Sequence, residues 1–403
     1  MNRQPYGTPP QWWPPRLTPW WIRATRGWRR NMLRRKQRIV EVDFHGVDIL
    51  RREIDAGHGV LITPNHAVHY DSAALYLAAD QVDLPLYFMV AWQVFSMSST
   101  FECWFMQRIG CFSVNREATD RQAMKQAIHI LQNEPYPLVI FPEGDVYHTT
   151  DEVTPFREGA AALASSAAKR SKREIVAVPC GIKFWYLEDV RSSILETLEL
   201  LEERLFQRTH PELREQDRIH RLAEAIIALK ELDYLGYTNQ GRVRQRTGQL
   251  VETILQHIEQ RHATPISRRG DIPNRVKALR QSVIAKLEAN LELPDVDIPP
   301  DEQRRLVRDM EDLFFVMQLY SYRGDYLDGQ PSLERVAETL DKLEEDILER
   351  DLPTVRGRRR AEVRFGTPIP IASGESRTSV ADLTMQLQQA VQAQMDAINA
   401  CRH

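Results

Sequence analysis

Cysteine is scarce in this chain. Only Cys103, Cys111, Cys180 and Cys401 occur in 403 residues; none forms a Cys-x-x-Cys pair, and none stands at metal-like spacing from a histidine. That argues against a disulfide framework, leaves no metal site to expect, and suits a reducing, cytoplasmic compartment. Long apolar runs are missing as well. No stretch of about 18 apolar residues exists, so no transmembrane helix is expected. The longest run, Leu84 to Trp92, suits a buried strand. The N-terminus lacks the apolar core of a signal peptide. Acidic residues are absent from the first 40 positions, which hold ten Arg and Lys.

That last absence creates an asymmetry. The whole chain carries −3, so a segment at +10 leaves −13 on the remainder. A basic arm on an acidic body points to an anionic surface as the arm's partner. Five of the eight tryptophans fall in the first 28 residues. Tryptophan favours the headgroup layer of a bilayer, and arginine favours anionic lipid. Residues 1–36 are therefore expected to form a basic, Trp-rich membrane-associating arm, helical from Leu17 to Lys36. The protein would be peripheral on the inner face of a membrane. A nucleic-acid role for the arginines at 16–38 is set against the acidic body and the tryptophans, and no nucleic-acid partner is expected.

From residue 37 the texture alternates. Strands are expected at 39–44, 59–63, 86–90, 111–114, 138–141 and 175–184, and helices at 72–79, 116–133 and 154–168. Strands separated by helices imply an α/β unit with a largely parallel sheet. Residues 187–352 are charged and leucine-rich at helical spacing, enough for five or six helices. Leu333, Val336, Leu340, Leu343 and Ile347 fall on one seam. Strand texture returns at Ala361 to Phe365, and a last helix is expected at about 380–399.

Four elements carry chemistry. The strand ending at Thr63 runs into Pro64-Asn65-His66-Ala67-Val68-His69-Tyr70-Asp71. Five residues is the wrong spacing for one helical face, yet a turn before a helix brings His66 and Asp71 together. Asp71 then holds one imidazole nitrogen and leaves the other as a base. The plain alternative is that Asp71 caps the helix and His66 is a loop histidine. Phe141-Pro142-Glu143-Gly144 places a carboxylate and a glycine at the end of a buried strand, where sites gather in parallel sheets; an exposed turn is the alternative. Gly110 to Arg116 delivers an arginine at a strand end, suited to a phosphate or carboxylate, or to a surface ion pair. Val178-Pro179-Cys180-Gly181-Ile182 is an apolar strand that could line an acyl-chain slot, though by itself it says only that a strand is buried.

In order and spacing these four elements resemble the phospholipid/glycerol acyltransferase family, of the lysophosphatidate acyltransferase type. The likeness covers residues 37–186 and resumes at Val363 to Ile369. It implies the glycerolipid acyltransferase fold, a mixed, largely parallel sheet flanked by helices, here with a large all-helical insertion. The division would be 1–36 as arm, 37–186 plus 361–403 as acyltransferase domain, and 187–360 as insertion. It further implies that His66 deprotonates an acceptor hydroxyl while Asp71 orients it. Arg116, Glu143, Gly144 and Arg157 would form the acceptor site, with Asn65, His69 and Asp145 as further candidate contacts. Acyl-CoA or acyl carrier protein would be the co-substrate, a lysophospholipid or glycerol-phosphate-like lipid the acceptor, and no cofactor is needed. The chain departs from the family at Asp145-Val146, where a hydroxyl residue and an arginine are usual. A carboxylate there opposes a doubly charged phosphate. The competing functional reading is a non-catalytic, lipid-binding member of the same fold.

Overall fold

The computed structural model describes residues 10–116, 120–262, 272–292, 299–322, 325–350, 352–372 and 378–401. Residues 1–9 of the expected arm lie outside these, and the account below concerns the described residues. They divide into two compact units, one of residues 10–194 with 332–401 and one of residues 195–331.

The first unit is built on an eight-stranded sheet. Its strands are β1 (Ile39–His45), β2 (Gly59–Pro64), β3 (Tyr87–Ala91), β4 (Cys111–Val114), β5 (Leu138–Val139), β6 (Ile175–Tyr186), β7 (Arg359–Phe365) and β8 (Ile369–Pro370). The order is β1-β7-β6-β2-β5-β3-β4, with β8 against β6. Pairs among β6, β2, β5, β3 and β4 are parallel, β1 pairs β7 in parallel, and β7 and β8 run antiparallel to β6. The sheet is thus mixed and mostly parallel. Val60 to Ile62 and Ile175 to Ile182 are buried on both faces, which explains their unbroken apolar sequence. The strand expected at 361–365 lies in the sheet, with Ile182 opposite Val363.

Helices cover both faces. They are α1 (Pro19–Lys36), α2 (Val47–Asp55), α3 (Asp71–Gln81), α4 (Trp92–Ser96), α5 (Thr100–Arg108), α6 (Arg121–Asn133) and α7 (Gly159–Ala168). The chain leaves the sheet through α8 (Arg191–Phe206) and returns through α13 (Leu333–Leu348) to α14 (Val380–Ala400). Two start later than the sequence suggests. The Asp120 side chain accepts the N–H groups of Gln122 and Ala123, so α6 begins at Arg121 rather than 116. Residues 154–158 are drawn into the site, Arg157 N–H bonding the Pro142 carbonyl, so α7 begins at Gly159.

The basic N-terminal segment is not a loose arm. Ile22 and Leu33 of α1 are buried in the core. Arg29 is buried and paired with Asp80 of α3 at 2.6 Å, while Arg23 and Arg26 pair with Asp83. Trp13 stacks on Phe95 and bonds through its backbone to Ser113 of β4. Part of the tryptophan and arginine signal in this segment is therefore structural. Arg30, Arg34, Arg35 and Lys36 remain exposed, as do Trp20 and Trp28.

The second unit holds most of α8 with α9 (Glu215–Leu235), α10 (Val243–Arg261), α11 (Ile272–Glu292) and α12 (Pro300–Ser321). Leu250, Ile254, Leu255, Leu279, Val283, Leu313 and Val316 form its core. Buried pairs Arg218–Glu202 and Arg246–Glu231 fix its turns. This body is shorter than the 187–360 expected from composition. Residues 332–360 belong to the sheet unit, because the buried polar groups of α13 find partners there. Glu338 accepts from Thr150, Asp341 and Glu344 hold Arg356, and Glu345 reaches His69. No described helix is long and apolar enough to cross a membrane.

Candidate active site

The carboxyl ends of the parallel strands β2, β5 and β4 deliver the motif residues to one edge of the sheet. β2 ends at Pro64, and the next residue fastens the turn that follows. Asn65 donates through its amide to the Ile182 carbonyl at 3.0 Å and accepts the Ile182 N–H at 2.7 Å. Both ends of its amide are engaged and the residue is buried. It acts as a clamp between β2 and β6, not as a surface open to an acceptor.

The turn then brings His66 and Asp71 together. His66 Nδ1 lies 3.0 Å from Asp71 Oδ2, with the imidazole about one-fifth exposed and the carboxylate fully buried. The same oxygen accepts the Val68 N–H at 2.9 Å. Asp71 is the first residue of α3, whose N-cap is Tyr70 with no side-chain bond. The carboxylate thus turns back to the loop, and the capping alternative is not what is observed. Burial pushes the Asp71 carboxyl up, while the hydrogen bond and charge of His66 pull in the other direction. The His66 ring packs on Phe141 with centroids 4.2 Å apart. A histidine fixed at Nδ1 by a buried carboxylate presents Nε2 as its proton-accepting nitrogen.

Glu143 braces this pair from beneath. Its Oε1 accepts the backbone N–H of His66 at 2.7 Å, and Oε2 accepts from the backbone and hydroxyl of Thr154. Burial pushes its carboxyl up to about 7, against the pull of these donors and of His66. With both oxygens committed and the side chain buried, Glu143 is a positioning residue. It does not line an acceptor surface.

Gly144 has φ +78°, and a Cβ there would meet the Arg157 guanidinium at 2.7 Å, so only glycine lets the arginine lie so close. Arg116 donates to the Gly144 carbonyl. Two arginines, one from the end of β4 and one from the segment before α7, therefore bracket residue 144. Asp145 follows directly. Burial opposes its charge, yet Arg116 and Arg157 hold its carboxyl below the ordinary aspartate value. The carboxylate that departs from the motif is thus a partner of the site's two cations.

His69 departs most from expectation. Its ring turns away to Glu345 of α13, at 3.0 Å, and is nearly buried. Thr154, His148 and Glu345 are neighbours of the site that the sequence reading does not single out, and Phe141 enters it only as part of its motif. Thr154 stands just before the segment that carries Arg157. His148 and Glu345 carry no local signal, since only the fold brings them near residue 69.

The family model described as Acyltransferase matches residues 41–183, which hold His66, Asp71, Arg116, Glu143, Gly144 and Arg157. Residues 41–183 are thereby an acyltransferase domain of the phospholipid/glycerol acyltransferase family. No curated protein matches it.

Proposed function

We propose that this protein is an O-acyltransferase moving a fatty acyl group from acyl-CoA or acyl carrier protein to a hydroxyl of a lysophospholipid. The observation that carries the proposal is the His66–Asp71 pair, 3.0 Å apart with the carboxylate buried, inside the acyltransferase-family domain. In the reaction His66 Nε2 takes the acceptor's hydroxyl proton as the oxygen attacks the thioester carbon. The C–S bond breaks, and the imidazolium returns the proton to the departing thiolate. Asp71 holds the ring and stabilises the transient imidazolium. Glu143 keeps the His66 backbone in place.

Charge supports a choice among acceptors. Arg116 and Arg157 supply two positive charges, and Asp145 cancels one of them. The remaining single charge matches the monoanionic phosphodiester of a lysophospholipid better than the dianion of a glycerol phosphate monoester. On α1 and α5, Trp20, Trp28 and Phe101 are exposed, as are the α1 residues Arg30, Arg34, Arg35 and Lys36. Aromatic rings with arginines suit an anionic membrane surface, where a lipid acceptor resides.

The test is release of free thiol from acyl-CoA or acyl carrier protein on adding lysophospholipid or glycerol phosphate, with the acylated lipid identified by mass spectrometry. Acylation of a lysophospholipid, lost in His66→Ala, is the expected result. Lipid binding with no thiol release from either donor would leave the non-catalytic reading standing.

A further inference from the structure

Beside the site lies a cluster that the acyl-transfer chemistry does not use. His69, from the turn before α3, His148, from the loop after Gly144, and Glu345, from α13, offer ligand atoms within 4.8 Å of one another. Their side chains are 7%, 2% and 2% exposed. Glu345 Oε1 is 3.0 Å from His69 Nε2 and 3.3 Å from His148 Nε2. Tetrahedral zinc, with bonds of about 2.0–2.1 Å, sets its ligand atoms roughly 3.3 Å apart.

Hydrogen bonding alone leaves this cluster incomplete. His148 is buried, and neither ring nitrogen has a partner aligned for a hydrogen bond; Glu345 Oε2 has none either. Buried imidazole and carboxylate atoms rarely go unpartnered. The His148 backbone has φ +53°, a left-handed conformation uncommon for residues other than glycine, and its N–H bonds the Ala67 carbonyl. The loop is thus pinned so that His148 projects where His69 and Glu345 already meet.

We propose that His69, His148 and Glu345 bind one zinc-class divalent ion through two imidazoles and a carboxylate. Two histidines and a glutamate form a recognised ligand set for zinc, and imidazole suits zinc over magnesium or calcium. Each ligand comes from a different segment. The ion would fasten the turn that carries His66 and Asp71 to the loop after Gly144 and to α13. Because the three side chains are closed off from solvent, its role is to hold the turn, not to contact substrate. Such a site has no local signature, since the ligands lie at positions 69, 148 and 345 with no short spacing among them.

The experiment uses the full chain with no affinity tag. Protein is loaded with ZnCl₂, passed through a desalting column, and analysed for metal by mass spectrometry. About one equivalent of zinc should stay with the wild type, with magnesium not retained. His148→Ala and Glu345→Gln should each weaken zinc affinity by about tenfold or more. Chelation should lower the melting temperature of the wild type and leave both variants unmoved. Retention by the wild type below about 0.1 equivalent would overturn the proposal, and that measurement depends on no variant folding. Full retention in both variants would do so too, placing the ion elsewhere.

Discussion

The backbone N–H of His66 donates to Glu143 Oε1 at 2.7 Å, so the end of β5 sets the position of a residue at the end of β2. Two motifs that are 77 residues apart in the chain are one mechanical unit. His66 is therefore held at three points, by Asp71 at Nδ1, by Glu143 at the backbone N–H and by Phe141 against the ring face.

His66→Ala should reduce turnover by about 10²–10⁴-fold, the usual scale for loss of a general base. Asp71→Asn should fall in the same range, because an amide no longer holds the ring in the productive tautomer. Thiol release and melting temperature measured together decide the matter. Near-normal turnover in folded His66→Ala would remove the base from His66.

Arg116→Ala should raise the acceptor's KM by roughly 10–100-fold, the equivalent of a charge-assisted hydrogen bond of about 1.5–3 kcal/mol, with the donor's KM little changed. Arg116 also holds the Gly144 carbonyl. Equal effects on both substrates would mark it as structural. Asp145→Ser should shift preference toward phosphomonoester acceptors by restoring a second net positive charge, and the ratio of kcat/KM for the two acceptor classes reads this directly.

Stability should fall as pH rises from about 5 to 8. Burial pushes Glu143 and Glu338 up to about 7 and Asp341 up to about 6, so each of these carboxyls keeps its proton more readily in the folded chain than in the unfolded one. Their contribution is full below the ordinary carboxylate range and lost through about pH 6–7. Thermal melts across the range test this, and Glu338→Gln should flatten the profile. A melting temperature that climbs from pH 5 to 8 contradicts the assignment.

Trp28→Ala with Phe101→Ala should weaken sedimentation with anionic vesicles while leaving the melting temperature nearly unchanged, since both side chains are largely exposed. Binding by the wild type should also decline as salt rises. Deleting residues 10–36 is a different matter. It removes the Arg29 partner of buried Asp80, and breaking such a pair costs about 3–5 kcal/mol, so that protein is expected to misfold. Unaltered vesicle binding by the double variant would move the membrane surface elsewhere.

The sequence made the local parts of this molecule legible. His66 and Asp71 are five residues apart across one turn, so their pairing follows from the strand and helix on either side. The central strands announce themselves as unbroken apolar runs, and the return of strand texture at Ala361 marks a late member of the sheet. Distance in the chain hid the rest. Glu143 is visible at a strand end, but the N–H it faces belongs to another strand. Glu345 reads as one more charge on an amphipathic helix, and its burial against His69 depends on tertiary packing alone. The arginines of α1 read as one basic face, although Arg29 is spent inside the fold on Asp80. The start of α5 has a local signature, the capping box of Ser99 and Glu102.

The place of β7 has a consequence in time. β1 touches the sheet only through β7, and Ile39 is opposite Arg359, made 320 residues later. At roughly 5–20 residues per second, about 16–64 s of synthesis separate the two. Throughout that interval the first strand has no neighbour and the edge of β6 stands open. The segment 41–183 that carries the family's motifs therefore lacks the strand that joins β1 to the rest of its sheet. Its assembly waits for a strand delivered after the whole helical body has emerged, which makes this edge the point where a chaperone would have most to shield.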